Sequence, residues 1–411
     1  MCVVLAIAAV GVTACSSGDS GSGKSSGKKI TLGATPTSGC GSYVADPPKD
    51  PDGVVKDIDN ATYSKGLAGY PIPVLKSTWS DFKPNGSPPY TVGVVWNQLT
   101  APFQIGAIKG IKDTLKSSPD VGSVLFSSTG ANTDVGQELQ NMNALLRQKP
   151  DIIILEPLTS ASFAKQIKQA AAANIPVLLA LDSYDSPNVV NVGGNNTLSA
   201  AASMSALVRL MGEKGNYIDM HGLPGTTPDL NSDDGIKAVV KNCPNIKKVT
   251  DLYGQFIPSV AKAETLKYLG TNPAPVQGVF QTATMASGVM QAFDQAGRDI
   301  PPVTDIGVTK GSLGYWRQNK DSYTGTGTGL GGIALGSGMA NVAIRMLEGQ
   351  GLKTNAVIQE LPVLTDANLN QWAEPGWDLN TPGVAEGPPG AFGSNDFLNP
   401  LFANGAPPKT K

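Results

Sequence analysis

Two successive series of alternating strand and helix patterns constrain the fold of this chain more than any other feature. The first series begins at residues 90–96, where the β-branched run YTVGVVW predicts a strand. Apolar residues then recur at the spacing of one helix face, at Ile105, Ile108, Ile111 and Leu115. Residues 151–155 (DIIIL) are continuously apolar after the Asp, which is typical of a strand buried on both faces of a parallel sheet. The second series extends from a predicted strand at residues 217–220 to another at residues 305–308.

Strands that alternate with helices predict parallel sheets covered by helices on both faces. We therefore predict an α/β fold with two doubly wound parallel-sheet lobes. In such sheets ligands bind beyond the carboxyl ends of the strands. Two facing lobes thus predict a binding site in the cleft between them.

The charge balance excludes several classes of partner and chemistry. Lys and Arg total 31, Asp and Glu total 33, and the net charge is −2, so no basic surplus is available to neutralise nucleic-acid phosphates. His221 is the single histidine of the chain. It argues against a His-rich metal site, and any histidine-dependent catalytic triad would depend on it. We predict no nucleic-acid partner, no metal, no cofactor and no enzymatic activity.

Three short motifs are interpreted as structural or accidental. Residues 18–25 match the P-loop pattern but have no predicted strand before them. The G-x-G-x-x-G pattern at residues 327–332 lies near the C-terminal end of the fold rather than in its first βα unit, and we interpret it as a Gly-rich bend between lobes. The acidic cluster of Asp229, Asp233 and Asp234 lacks EF-hand spacing and predicts a helix N-terminus.

The first residues of the chain predict export and a lipid anchor. Residues 3–12 form an apolar run that is too short to span a bilayer, which takes about 20 residues, but has the length of a signal-peptide core. The following VTAC resembles a bacterial lipobox, in which Cys15 would carry the lipid. We predict a lipoprotein signal peptide at residues 1–15 and a flexible Gly/Ser-rich tether at residues 16–29. The predicted location is outside the cytoplasm, on the cell membrane.

Cys40 and Cys243 are the thiols that remain in the mature chain besides Cys15. In an oxidising compartment two remaining thiols often pair. A bridge between them would fasten the N-terminal extension to the second lobe. The sequence leaves open whether the two residues are close enough to pair.

An ordered set of short motifs between residues 90 and 368 resembles a known family. The motifs are VVWN (94–97), DIIILEP (151–157), IPVLLALD (175–182), VGGNN (192–196), VF (279–280), MASG (285–288), LEG (347–349) and LT-x-x-N (364–368). In this order they resemble the type I periplasmic substrate-binding proteins, specifically the ribose-like simple-sugar branch. The resemblance implies two lobes, joined by three crossover strands, that close on one small molecule and present it to an ABC permease.

The resemblance also implies domain boundaries and hinge positions. The implied crossings lie at residues 182–187, 327–332 and 361–364. The predicted domains are an irregular N-terminal extension (30–89), lobe 1 (90–183 with 330–362), lobe 2 (184–329 with 363–370) and a C-terminal tail (371–411).

Ligand-binding residues follow from the same resemblance. It implies polar or stacking contacts at Asn97, Phe103, Asn132, Asp182 and Phe256. Aromatic faces cover sugar C–H groups, while amides and carboxylates pair with hydroxyls. The chain departs from the family pattern at Gln104, where a second aromatic is expected, and at Thr309, where an aspartate is expected. Both are kept as candidate ligand-binding residues.

Three further aromatic residues are candidates for the walls of the site. Trp96 either packs in the core at a strand end or lines the site. Tyr315 and Trp316 follow the last strand of the second lobe and are predicted to face the cleft. An arginine that the family places three residues before Gly235 is Ser232 here, and such losses leave an uncharged site that favours a neutral polyol or modified sugar.

We therefore predict a monomeric extracytoplasmic lipoprotein that captures a small sugar-like or polyol ligand and delivers it to an ABC permease. A ligand sensor of the same fold, signalling to a membrane receptor, is the alternative that the sequence leaves open.

Overall fold

The computed structural model describes Leu32 and residues 34–409 of the chain. The predicted signal peptide, Cys15 and the tether lie outside the described residues. The described strands are β1 (Tyr90–Gln98), β2 (Val121–Gly130), β3 (Ile152–Glu156), β4 (Val177–Ala180), β5 (Val189–Gly194), β6 (Gly215–His221), β7 (Ile246–Tyr253), β8 (Gly278–Gln281), β9 (Thr304–Ile306), β10 (Thr326–Thr328), β11 (Ala356–Gln359) and β12 (Val363–Leu364).

The helices alternate with these strands over most of the described chain. They are α1 (Val54–Ile58), α2 (Ala61–Gly66), α3 (Pro102–Ser117), α4 (Val135–Arg147), α5 (Ala164–Ala172), α6 (Asn196–Leu210), α7 (Thr227–Val240), α8 (Pro258–Thr271), α9 (Ala286–Gln295), α10 (Lys310–Gln318), α11 (Gly332–Leu347), α12 (Leu369–Trp372) and α13 (Asn395–Leu398). Two 3₁₀ turns lie at Ser160–Phe163 and Asn399–Leu401.

Lobe 1 is built on a six-stranded parallel sheet in the order β11-β5-β4-β3-β1-β2. Side chains of its central strand β3 alternate between two cores. Ile152 and Ile154 pack on the side of α3 and α11, whereas Ile153 and Leu155 pack on the side of α4 and α5. This alternation follows from the strand period of two. The prediction that this strand is buried on both faces is confirmed.

Lobe 2 contains two three-stranded sheets. One is parallel, in the order β7-β6-β8, and the other has the order β12-β10-β9, with β10 parallel to β9 and antiparallel to β12. A parallel bridge between Val279 and Val303 connects the two sheets. Helices α6 and α7 cover one face and α8 and α9 cover the other. The predicted α/β class with parallel sheets is confirmed, and β12 is an antiparallel addition.

The first crossing between the lobes differs from the prediction. Residues 189–194, assigned to lobe 2 from the sequence, form β5, which pairs with β4 on one side and β11 on the other within the lobe 1 sheet. The β-branched residues Val189, Val190 and Val192 favour this additional strand. The chain therefore crosses at Asn195, between β5 and α6, and not at residues 182–187. The other crossings lie between β10 and α11 and between β11 and β12.

The N-terminal extension is also more ordered than predicted. Tyr63, Leu67 and Trp79 are buried in the lobe 1 core, and the Tyr63 hydroxyl donates to the Ala356 carbonyl at 2.7 Å. Asn195, at the first crossing, donates to the carbonyl oxygens of Gly66 and Ala68. The extension thus contributes to lobe 1 rather than forming an irregular neck.

Cys40 and Cys243 form a disulfide bond, with their Cα atoms 4.5 Å apart. Cys243 follows α7 in lobe 2, and the side chains of Cys40 and Tyr43 pack against the α6–α7 core. The chain therefore contacts lobe 2 near residue 40 and lobe 1 from α1 onwards.

The C-terminal tail packs on both lobes. Trp372 lies in the core of lobe 2, whereas Phe392, Phe397 and Phe402 lie in the core of lobe 1. Between them, a Glu386 carboxylate oxygen accepts hydrogen bonds from two backbone N–H groups at the start of α11. Among the described residues, none of the helices is both long and apolar enough to cross a bilayer.

Candidate ligand-binding site

Two adjoining cavities lie between the lobes, beyond the carboxyl ends of the strands. Their volumes are about 630 Å³ and 400 Å³, and both are lined by Gln104, Glu156, Leu181, Pro228 and Phe256. Because lobe 1 supplies Glu156 and lobe 2 supplies Phe256, a ligand in either cavity would contact both lobes.

We call the smaller cavity the polar compartment, defined by Asn97, Gln98, Gln104, Glu156 and Asp182. Three buried oxygen atoms of these residues have no hydrogen-bond partner in the described part of the chain: Oδ1 of Asn97, Oε1 of Gln104 and Oε2 of Glu156. Buried polar atoms without a partner are rare in native proteins because they lose solvation without compensation. Hydroxyl groups of a ligand would supply the missing partners.

Glu156, the last residue of β3, is the titratable group at the centre of the cleft. Burial raises the pKa of its carboxyl group well above the usual range, and the nearby carboxyl group of Glu138 raises that pKa further. Burial likewise raises the pKa of Glu138, to about 7. The raised pKa favours the protonated form of the Glu156 carboxyl group, which can donate a hydrogen bond as well as accept one.

Asp182 lines the polar compartment, but its carboxylate is occupied by the protein. One oxygen accepts from the backbone N–H of Ser160 at 2.8 Å and the other from that of Ser183 at 2.6 Å. These bonds join the loop after β3 to the loop after β4. Asp182 therefore organises two loops at the edge of the cleft.

Phe256 forms the wall that lobe 2 contributes to both cavities. It follows β7 and has a left-handed backbone, with φ of 61°, as does Gln255, with φ of 53°. This conformation is uncommon for residues other than glycine and marks a constrained position. Hydrogen bonds from Gln255 N to Gly222 O and from Thr284 Oγ1 to Phe256 O hold the loop in place.

We call the larger cavity the apolar compartment, defined by Phe103, Leu181, Ile306, Leu330 and Leu361. Leu330 and Leu361 lie in the second and third crossings, and Ile306 is the last residue of β9. The polar side chains that reach this cavity are Gln104, Glu156, Asn196 and Thr284. Its walls are therefore mostly hydrocarbon.

Five of the ten residues predicted from the sequence line the cleft, namely Asn97, Phe103, Gln104, Asp182 and Phe256. Their contact with a ligand stays a prediction. Asn97 lies at the carboxyl end of β1, and the other four lie shortly after the carboxyl end of a strand, where the fold rule places ligands.

The other five residues line neither cavity. Trp96 is fully buried in the lobe 1 core, so packing is the alternative that holds for it. Thr309 is buried and donates from its backbone and its hydroxyl to the Asp305 carboxylate at the start of α10. Asn132 is exposed in the loop after β2, which is an edge strand of the sheet and so lies away from the centre of the cleft.

Tyr315 and Trp316 lie in α10 and are not among the residues that line the two cavities, so their contact with a ligand stays a prediction. The helix starts at Lys310, and at 1.5 Å per residue Trp316 lies about 9 Å along it. Trp316 is buried in the lobe 2 core and its indole N–H donates to Asp366 at 2.9 Å. Tyr315 is half-buried and packs edge-to-face against Tyr323.

Sequence reasoning missed Glu156, Leu330 and Leu361 as site residues. Glu156 follows the apolar run of β3 directly, and this position could have indicated it. The two leucines lie in the crossings, where hydrophobic residues carry no signal that separates a cleft wall from a core.

His221 lies apart from both cavities, in an acidic cluster of lobe 2. Its Nδ1 is 3.3 Å from both oxygens of Asp229, and its Nε2 is 3.1 Å from Oδ1 of Asp251. Ligand atoms of Asp219, His221 and Asp233 lie within 4.8 Å of one another, close enough for a metal ion. Lys248 Nζ, 3.7 Å from Asp219 and 2.5 Å from Asp251, already supplies a positive charge there. Asp229 lies in the first turn of α7, as predicted for a helix N-terminus, whereas Asp233 lies further along the helix because α7 already begins at Thr227.

Residues 92–350 match the family of the periplasmic binding protein domain. The xylitol-binding protein of Mycolicibacterium smegmatis is 26% identical over 242 residues, which cover 58% of this chain and 68% of that protein. The solute-binding protein of an ABC transporter from Thermobispora bispora has a similar structure, with a TM-score of 0.63, 21% identity and coverage of 69% of this chain and 88% of that one. Another, from Mycobacterium smegmatis with bound glycerol, has a TM-score of 0.62, 20% identity and coverage of 73% and 100%.

Proposed function

The chain belongs to the periplasmic binding protein domain family, and from this premise we propose that it captures a small sugar or polyol between its two lobes and delivers it to an ABC importer. A binding role, rather than catalysis, agrees with the family and with the curated relatives, which are named as binding proteins. Some of these relatives are named import binding proteins, which favours delivery to a permease over the sensor alternative.

The observation that carries the proposal is the set of unpartnered oxygen atoms in the polar compartment. Asn97, Gln104 and Glu156 each hold one buried oxygen that has no partner among the described residues, and all three residues line the polar compartment. A polyhydroxylated ligand can donate to each of them. Closure is then favoured because the ligand contacts Phe256 of lobe 2 at the same time.

The crossings of the cleft support a hinge mechanism. Three short segments join the lobes, at Asn195, at residues 329–331 and at residues 360–362. Rotation about such segments opens and closes a cleft with little change inside either lobe.

We also propose that the protein is a monomer anchored outside the cytoplasm by a lipid on Cys15. The lipobox-like sequence before Cys15 and the low-complexity tether after it support this part. Radiolabelled palmitate incorporated by the wild-type chain, but not by a Cys15→Ser variant, is the expected result. Recovery of unlabelled wild-type protein from the cytosol would contradict it.

The binding function is tested by isothermal titration with xylitol, ribose, myo-inositol and glycerol, after a thermal-shift screen. A ligand present at 100 times its Kd stabilises the folded protein by about 2.7 kcal/mol, which a melting curve detects. We expect at least one sugar or polyol to bind the wild-type chain, and to bind an Asn97→Leu variant more weakly. Binding of charged amino acids in place of all sugars and polyols would overturn the proposal.

A further inference from the structure

The two compartments of the cleft differ in chemistry, and this difference bears on the class of ligand. The polar compartment presents unpartnered oxygens at Asn97, Gln104 and Glu156. The apolar compartment, which Glu156 also lines, is walled by Ile306, Leu330 and other hydrocarbon side chains. Because Gln104, Glu156 and Phe256 line both, a single ligand can extend from one compartment into the other.

An unmodified sugar does not match the apolar compartment. Its hydroxyl groups would face Ile306, Leu330 and Leu361, which offer no hydrogen-bond partner. Hydroxyl groups that lose water without gaining a partner weaken binding. An apolar substituent gains affinity at the same place, by roughly fourfold for each methylene group that it buries.

The charge of the walls limits the ligand further. Among the described residues that line the two cavities there is no Lys, Arg or His. Asp182 is already bonded to two backbone N–H groups, and burial raises the pKa of the Glu156 carboxyl group well above its usual range. A phosphate or carboxylate group on the ligand would have no cation to pair with.

We propose that the ligand is an uncharged, amphipathic derivative of a sugar or polyol. Its hydroxyl groups bind Asn97, Gln104 and Glu156 in the polar compartment. Its alkyl, alkylthio or aryl substituent lies among Ile306, Leu330 and Leu361 in the apolar compartment. The inference rests on the proposed function and specifies its ligand class.

The test compares matched pairs of compounds by isothermal titration. The pairs are ribose with 5-methylthioribose, glucose with phenyl β-D-glucoside, and myo-inositol with its monomethyl ether. Ribose 5-phosphate serves as the charged comparison. We expect the substituted member to bind at least tenfold more tightly in one or more pairs, and ribose 5-phosphate to bind more weakly than ribose.

Two variants connect the result to the apolar compartment. Ile306→Thr keeps a β-branched side chain at the end of β9 and should reduce the preference for the substituted member over the parent compound about tenfold. Leu330→Thr, in the second crossing, is the second variant and should act in the same direction. Ile105→Thr, at an exposed position of α3 outside both cavities, is the matched control and should change neither affinity.

The outcomes separate the inference from the proposed function. If the parent compounds bind as tightly as their substituted partners, the inference fails while the proposed function stands. If the substituted compounds bind better but Ile306→Thr and Leu330→Thr leave the preference unchanged, the assignment of the apolar compartment fails. If no member of any pair binds, the inference and the proposed sugar-binding function both fail.

Discussion

Gly222 and Phe256 are packed so closely that a Cβ atom on Gly222 would lie 2.0 Å from Cε1 of the Phe256 ring. Gly222 follows β6, and Phe256 follows the neighbouring strand β7 in the same sheet. The absence of a side chain at Gly222 therefore leaves the space in which the ring lies. Because Phe256 lines both compartments, this contact sets the shape of the lobe 2 wall.

Gly222→Ala should displace the Phe256 ring and weaken ligand binding by about tenfold or more. The new methyl group and the Phe256 ring would occupy the same space. The ring should move, because it is the end of a side chain whereas the methyl group is fixed to the backbone. The measurement is the Kd of the best ligand from the sugar and polyol screen, together with the melting temperature of the ligand-free protein.

The matched control for this variant is Gly270→Ala in α8. A Cβ atom there would meet no heavy atom within 4 Å. The substitution should leave the affinity unchanged and stabilise the helix slightly, since alanine is favoured over glycine in helices. Equal affinities for Gly222→Ala and the wild-type chain would show that the ring does not contact the ligand.

Asn97→Leu should weaken ligand binding by about tenfold to a hundredfold. The ligand hydroxyl that pairs with Asn97 would lose its partner, and a buried polar group without a partner costs roughly 1–3 kcal/mol. Leucine has a similar size, so the cavity keeps its volume while the unpartnered Oδ1 is removed. Asn132→Leu, at the exposed position that the sequence also indicated, is the control. A loss of affinity in Asn132→Leu alone would reverse the assignment of these two residues.

Strand order and strand position explain which site residues the sequence could predict. Asn97 lies at the carboxyl end of β1 and Asp182 just beyond that of β4, and parallel strands place their carboxyl ends at one edge of the sheet. Trp316 lies close to β9 in the sequence, but its place within α10 sets it apart in space from the end of that strand. Leu361 could not be identified from the sequence, because its place in the wall of the cleft depends on how the two folded lobes face each other.

The lobe boundary shows a second limit of the sequence. Residues 189–194 carry strand-forming valines, but the partners that make them part of lobe 1 are β4 and the distant β11. β11 lies more than 160 residues further along the chain. Local pattern predicts that a strand forms, whereas its neighbours in the sheet depend on contacts between remote segments.

The acidic cluster around His221 predicts that stability falls in mildly alkaline solution. Hydrogen bonding to Asp229 and the charges of Asp219 and Asp251 raise the pKa of His221 to about 9, against a usual value near 6.5. Stability gained from the protonated imidazole is therefore complete below pH 6.5 and is lost as the pH rises through 9. Between these limits we expect the free energy of unfolding to fall by roughly 3 kcal/mol at most, at 1.36 kcal/mol per pKa unit.

His221→Gln should remove this decline, and urea unfolding at pH 6, 7.5 and 9 measures it. The buried Asp305 provides an internal comparison, because burial raises its pKa to about 7. Its contribution falls as the pH rises from about 4 to 7 and should persist in His221→Gln. His221 also faces Asp233, and its partner Asp251 in turn contacts Lys248. A free energy of unfolding of the wild-type chain that stays constant or increases from pH 7 to pH 9 would contradict the assignment of the alkaline decline to His221.

The disulfide between Cys40 and Cys243 should stabilise the folded protein by linking its N-terminal segment to lobe 2. The closed loop spans 203 residues of sequence separation. Restricting so long a loop in the unfolded chain corresponds to about 2–5 kcal/mol in chain-entropy estimates. A Cys40→Ser/Cys243→Ser variant should therefore unfold at a lower temperature than the wild-type chain.

Reduction supplies the matched comparison for this last variant. Dithiothreitol should lower the melting temperature of the wild-type chain to that of the double variant and should leave the variant itself unchanged. Tyr63 is buried in the lobe 1 core and its hydroxyl donates to the Ala356 carbonyl, so it holds the later part of the N-terminal segment on lobe 1. Loss of the disulfide bond should therefore expose only the residues near Cys40 to proteolytic cleavage. Cleavage that instead begins near Tyr63 would show that the bridge, rather than the lobe 1 core, holds the whole segment in place.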